Sequence, residues 1–99
     1  MGYIVSGLAR LRRMKFPSMT KEPISEAAGQ FGERVRARRI ELGKSQEELA
    51  RESSVHWSYL GQVERGQRNL TLHSILKLAE VLGVDPGELV HGLHAPDGA

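Results

Sequence analysis

Apolar residues along the 99-residue chain take on a regular period only beyond about Gln30. Before that point Pro17, Pro23 and scattered Ser and Thr break the chain without a sustained stripe, the pattern of a mobile arm. From Phe31, a rotation of about 100° per residue puts Phe31, Val35, Arg38 and Leu42 on one face. Arg39 falls at its edge and Ile40 on the opposite side. This predicts a first helix, with Gly43 supplying the left-handed position that ends it. "SQEE", Ser45 to Glu48, has the form of a capping box that opens a second helix. Leu49 and Ala50 form its narrow apolar side, and the small Ala50 lets another helix come close.

After a short break at "SSV", the stretch "HWSYLGQVERGQRN" predicts a third helix. Leu60 and Val63 mark its buried side, with Glu64 beside them and His56 at the other flank. Ser58, Gln62 and Arg65 point the opposite way next to Gly61, while Trp57 and Tyr59 take the borders. Thr71 can cap "LHSILKLAEVL", where Leu72, Ile75, Leu76, Ala79 and Leu82 make a broad stripe that Gly83 terminates. In "DPGEL", Asp85 can cap, Pro86 fits the first helical position and Glu88 completes an Asp-x-x-Glu capping box, which predicts a short last helix. No segment alternates long enough to make a strand. The expected fold is all-α: a compact five-helix domain over 31–93, between an arm at 1–30 and a tail at 94–99.

Composition narrows the chemistry. A chain this short supports one small core, which argues against a multi-domain enzyme. The absence of cysteine removes disulfides, a thiolate nucleophile and cysteine-ligated zinc, and fits a reducing cytoplasm. No apolar run approaches the roughly 20 residues that span a bilayer. In "MGYIVSGLARLRRMKF" the basic residues follow the apolar stretch, the wrong order for a secretory signal, so a soluble intracellular protein is expected. The formal charge of +2 is the sum of +3 over residues 1–30 (five Lys/Arg, two acids) and −1 over 31–99 (nine against ten). A basic arm of this kind is either a solvated tail or a contact to a polyanion. Catalysis has no candidate, since neither a nucleophile elbow nor a phosphate loop occurs. His91 and His94 lack further ligands, so neither metal nor cofactor is expected.

Two features of the third helix stand out. Its outward side is short and polar, either an ordinary solvated face or a contact surface, and Trp57 and Tyr59 either pack at the domain's edge or belong to that surface. Glu64, turned toward a core, would cost several kcal/mol unless a cation met it. Arg39 is the natural partner, because a guanidinium can grip a carboxylate with two parallel bonds.

The run "SQEELARESSVHWSYLGQVERGQRNLTLHSILKLAEVLGV", preceded by "RRIELGK", resembles the phage-repressor (Cro/Xre-type, lambda-repressor-like) helix-turn-helix family over roughly residues 31–91. The joint spacing of "SQEELA", "ERG" and "LAEVLGV" carries the likeness. It implies a five-helix domain whose third helix enters the major groove of double-stranded DNA. Trp57, Ser58 and Gln62 would meet base edges. Gln46 would hold a phosphate, and Tyr59, Arg65, Arg68 and Asn69 would contact the backbone. Arg39 and Glu64 match an internal ion pair. Gly61 is either a weak helix position or a place where the backbone nears DNA. The chain departs from the family pattern at Lys44, Ser54, His56 and Leu70.

The resemblance implies a transcriptional regulator, repressor or controller-type, working as a homodimer on a two-fold symmetric operator in the cytoplasmic nucleoid. Val84, Leu89 and Val90 are the expected dimer surface. Arg10, Arg12, Arg13 and Lys15 of the arm are candidates for phosphate contact, and Met19 could begin a shorter product. The alternative is a protein-interaction module, an antitoxin that binds a toxin or an adaptor of the transcription machinery, with DNA contact secondary.

Overall fold

The computed structural model describes residues 22–97, which form five helices and no strand. The arm residues Arg10, Arg12, Arg13 and Lys15, and Met19, lie outside the described residues. None of the helices is long and apolar enough to cross a membrane.

Helix α1, Glu26–Glu41, begins five residues before the apolar stripe at Phe31. Ser25 is its N-cap, its Oγ accepting the Ala28 N–H at 3.0 Å. The added turn holds alanines and a glycine, so it has no stripe to betray it. Backbone contacts hold it instead: Ile24 N–H donates to the Gly66 carbonyl at 2.8 Å. Gly66, at φ +77°, lies so near Gly29 that an added Cβ would sit 2.7 Å from its Cα. At the far end Leu42 is exposed, and Arg38, which the wheel placed on the apolar face, turns aside to donate through Nε to the Leu82 carbonyl at 2.9 Å. Arg34 donates through Nη1 to the Leu89 carbonyl at 3.2 Å. These cations sit where helix C-termini present unpaired carbonyls.

Helix α2, Gln46–Glu52, carries the capping box: Ser45 Oγ accepts Glu48 N–H at 3.0 Å, and Glu48 Oε1 accepts Ser45 N–H at 2.8 Å. The bond from the Ser45 backbone holds the Glu48 carboxyl below its ordinary pKa. The box is therefore complete above the ordinary carboxylate range and is lost as pH falls through the lower folded value.

Between α2 and α3, Trp57–Glu64, the turn uses Ser54 at φ +61°, the one described non-glycine residue with positive φ. A Cβ makes that conformation cost about 1–2 kcal/mol, partly offset by the entropy a glycine would lose on folding. Ser54→Gly is accordingly expected to stabilise the fold by about 0.5–1 kcal/mol, seen as a higher thermal midpoint. A lowered midpoint would show that the serine side chain contributes more than its backbone costs.

Helix α4, Leu72–Leu82, corrects the expected stripe. Leu78, Ala79 and Leu82 are buried and Ile75 is half-buried, whereas Leu72 and Leu76 are 67% and 41% exposed. Both Leu72–Leu76–Ala79 and Ile75–Leu78–Ala79–Leu82 have helical spacing, and only the neighbouring helices decide which turns inward. Gly83 ends the helix at φ +69°. Helix α5, Pro86–Val90, starts from Asp85, whose Oδ2 accepts Gly87 N–H at 2.7 Å while Glu88 N–H goes to the Asp85 carbonyl at 2.8 Å, a simple cap in place of the expected capping box.

Helix α1 is the hub, packing on α3, α4 and α5, while α2 pairs with α3. The core joins Phe31, Val35, Leu49, Ala50, Leu60, Val63, Leu78, Ala79, Leu82 and Leu89. Leu89, expected at a dimer surface, is thus buried within its own chain. The crossing of α1 and α3 depends on Gly32, where a Cβ would stand 2.3 Å from the Val63 carbonyl oxygen and 2.6 Å from that of Glu64. A glycine inside a helix carries no sequence signal of such a close approach, so Gly32 is visible only in the packing.

Candidate nucleic-acid interface

The geometry of α3 starts at its cap. His56 Nδ1 accepts Ser58 N–H at 3.1 Å and lies 2.8 Å from Ser58 Oγ. A nitrogen that accepts is unprotonated, so this arrangement needs the proton on Nε2. The imidazole stacks on Trp57 with ring centroids 5.9 Å apart. Trp57 is 54% exposed, which takes it out of the core and puts it at the start of the outward face, beside exposed Ser58. Gln62 is half-buried one turn further on.

Tyr59 is half-buried against the core and carries the Arg68 guanidinium 5.1 Å from its ring centroid. Arg68 Nε donates to Gln62 Oε1 at 2.7 Å. Arg65 and Asn69 are exposed at the end of α3 and in the loop after it. The structure therefore puts Ser58, Gln62 and Arg65 on the side of α3 away from Leu60 and Val63, with Trp57 and Tyr59 at its borders and Arg68 reaching it from the following loop.

Beneath this face lies the ion pair. Arg39 Nε and Nη2 donate to Glu64 Oε2 and Oε1 at 2.7 and 3.1 Å, and Glu64 is only 6% exposed. Two further bonds were not foreseen. Arg39 Nη1 donates to the Lys44 carbonyl at 2.9 Å, and Gln46 Nε2 donates to Glu64 Oε1 at 2.9 Å. The Arg39–Glu64 pair thus joins α1, the loop before α2, α2 and α3. Gln46, expected to face a phosphate, spends one of its two amide hydrogens on this network and keeps the other hydrogen and Oε1.

Gly61 is buried, and a Cβ there would press on the tip of Arg65, Nη1 at 3.2 Å, and touch Gln46 Oε1 at an ordinary 3.7 Å. Of the expected dimer residues, Val84 is half-buried against the core and Val90 is 39% exposed. Val90 borders a groove of about 670 Å³ shared with Phe31, Leu70, Ile75 and Leu93. Among the described residues, no group of three or more His, Asp or Glu side chains could hold a metal ion.

A family model described as helix-turn-helix matches residues 35–89, more than half of the chain. The control protein C.BamHI of Bacillus amyloliquefaciens is 43% identical over 61 residues, which cover 61% of this chain and 75% of that protein. The crystal structure of the restriction-modification controller protein C.AhdI from Aeromonas hydrophila matches at 52% identity and a TM-score of 0.61, covering 63% of this chain and 94% of the other. The biofilm master regulator SinR, crystallised in complex with DNA, matches at 35% identity and a TM-score of 0.57, over 60% of this chain and 95% of SinR's.

Proposed function

The chain belongs to the helix-turn-helix family, and on that premise we propose that it is a sequence-specific DNA-binding transcription regulator of repressor or controller type, acting as a homodimer on a two-fold symmetric operator. The observation that carries the reading is the outward side of α3, where Trp57, Ser58 and Gln62 stand clear of the core on a helix braced from below by Glu64. Eight residues of helix extend about 12 Å, similar to the width of the major groove. In this reading Trp57, Ser58 and Gln62 meet base edges, while Gln46, Tyr59, Arg65, Arg68 and Asn69 position the domain on phosphates.

One short helix covers too few base pairs for high specificity, and two copies place their readers about 34 Å apart along one DNA face. Val90, the groove beside it and half-buried Val84 are the surface proposed for pairing. A monomeric mass by sedimentation at micromolar concentration, with and without selected DNA, would remove the dimer from this reading.

Selection from a random duplex pool tests base reading. The protein is expected to enrich a palindrome. Gln62→Ala should weaken preference at one base pair per half-site by about 1–3 kcal/mol while leaving random-DNA binding nearly intact. A uniform loss over all sequences would refute the role given to Gln62. A second reading, a protein-interaction module, gains support from the net charge of −1 over residues 31–99, which gives little bulk attraction to DNA. Absence of any enriched sequence would favour it.

A further inference from the structure

Resting on the proposed reading of DNA by α3, the geometry points to Arg68 as a specificity-determining residue: it sets which base edge Gln62 can read. A free glutamine amide offers one acceptor and one donor side by side. Its matching partner is adenine, whose major-groove edge presents N7 as acceptor and N6 as donor. Gln62 is not free in this sense, because Oε1 already accepts Arg68 Nε at 2.7 Å. The amide cannot turn over, since a guanidinium has no acceptor and Nε2 would then face a donor. A second donor approaching Oε1 would have to share an oxygen already engaged by a cation.

Arg68 is held in place from its other side. Its guanidinium carbon lies 5.1 Å from the centroid of the Tyr59 ring, and that ring is half-buried against the core. Stacking on a fixed ring and bonding to a helix side chain together limit the arginine's freedom. The composite edge left to a ligand, Gln62 Nε2 and the remaining guanidinium nitrogens, is composed of donors alone. The base whose major-groove edge answers with two acceptors is guanine, through N7 and O6. Arg68 lies beyond Gly66, outside the period of α3, so no helical wheel would associate it with Gln62. A phosphate contact by the same residue would add affinity without altering this choice.

Selections with the full chain, with Gln62→Ala and with Arg68→Met decide the matter. The glutamine variant locates the base pair read by Gln62, where the unaltered protein is expected to select guanine. Arg68→Met keeps an unbranched stem to cover Tyr59 but has no donor, which frees the amide. Preference at that same base pair should then move from guanine to adenine by about tenfold or more. Arg68 is exposed, and an unchanged thermal midpoint would show that the shift does not come from unfolding. If Arg68→Met selected the same base with weaker binding to every sequence, Arg68 would be a phosphate contact only and the inference would be overturned. Selection of adenine by the unaltered protein would overturn it too. Enrichment of nothing by the unaltered protein would instead refute the DNA-reading assignment, and the inference with it.

Discussion

Glu64→Ala is expected to destabilise the domain by about 3–5 kcal/mol, a large share of the roughly 5–15 kcal/mol that holds a small domain folded. The substitution removes an acceptor of three hydrogen bonds and leaves the Arg39 guanidinium, whose side chain is 12% exposed, without its counter-charge. Much of the loss is the penalty of an unpaired buried cation rather than the worth of the pair itself. Replacing both partners, Arg39→Met with Glu64→Leu, should therefore recover a good part of the stability, since apolar residues of similar size often match a buried ion pair. Urea denaturation of the unaltered protein and the two variants measures this. If the double variant were as unstable as Glu64→Ala, the bonds to Gln46 and the Lys44 carbonyl would carry more of the stability than the charge pair does. A loss under about 1 kcal/mol for Glu64→Ala would mean that water reaches Arg39 freely.

Gly32→Ala is the second large effect, expected at about 3 kcal/mol. A methyl group there would stand 2.3 and 2.6 Å from two carbonyl oxygens and 2.8 Å from the Glu64 carbonyl carbon, all of them backbone atoms that cannot rotate away. Helices α1 and α3 would have to separate, shifting the outward face of α3 relative to α2. DNA binding should fall even among molecules that remain folded. Gly61→Ala offers the contrast: it too is a buried helical glycine, but only the mobile tip of Arg65 stands in its way. There the helix gains from losing a glycine, and stability should hold or rise by up to about 1 kcal/mol. Equal thermal midpoints for the two alanine variants would contradict the close crossing of α1 and α3.

The sequence by itself determined the local structure. Ser45 and Glu48 announce a capping box, Thr71 and Asp85 announce helix starts, and Gly43 and Gly83 announce stops, because each acts on backbone groups within a few residues. The buried side of α3 was legible for the same reason, since Leu60 and Val63 stand on one side of a short helix whose other side is polar. Arg39 and Glu64 could be matched because a carboxylate beside an apolar stripe requires a cation, and few stand near enough to a core to serve.

Only the tertiary structure decided what depends on a neighbour. The first turn of α1 has no apolar stripe and is held by Gly66, nearly forty residues away. Two stripes of equal helical spacing compete on α4, and α1 and α5 cover the one that includes Leu78 while leaving Leu72 and Leu76 exposed. Leu89 reads as spare apolar surface until α5 folds back on α1. Gly32 and Gly61 look alike in sequence, yet a carbonyl lies 2.3 Å from the place of one Cβ and a flexible side chain 3.2 Å from the other. The bond from Arg68 to Gln62 joins a loop to a helix across a change of backbone direction at Gly66, where helical periodicity no longer relates one residue to the next. Periodicity reports which side of a helix avoids water, whereas packing distance and hydrogen-bond direction depend on where the other helices lie.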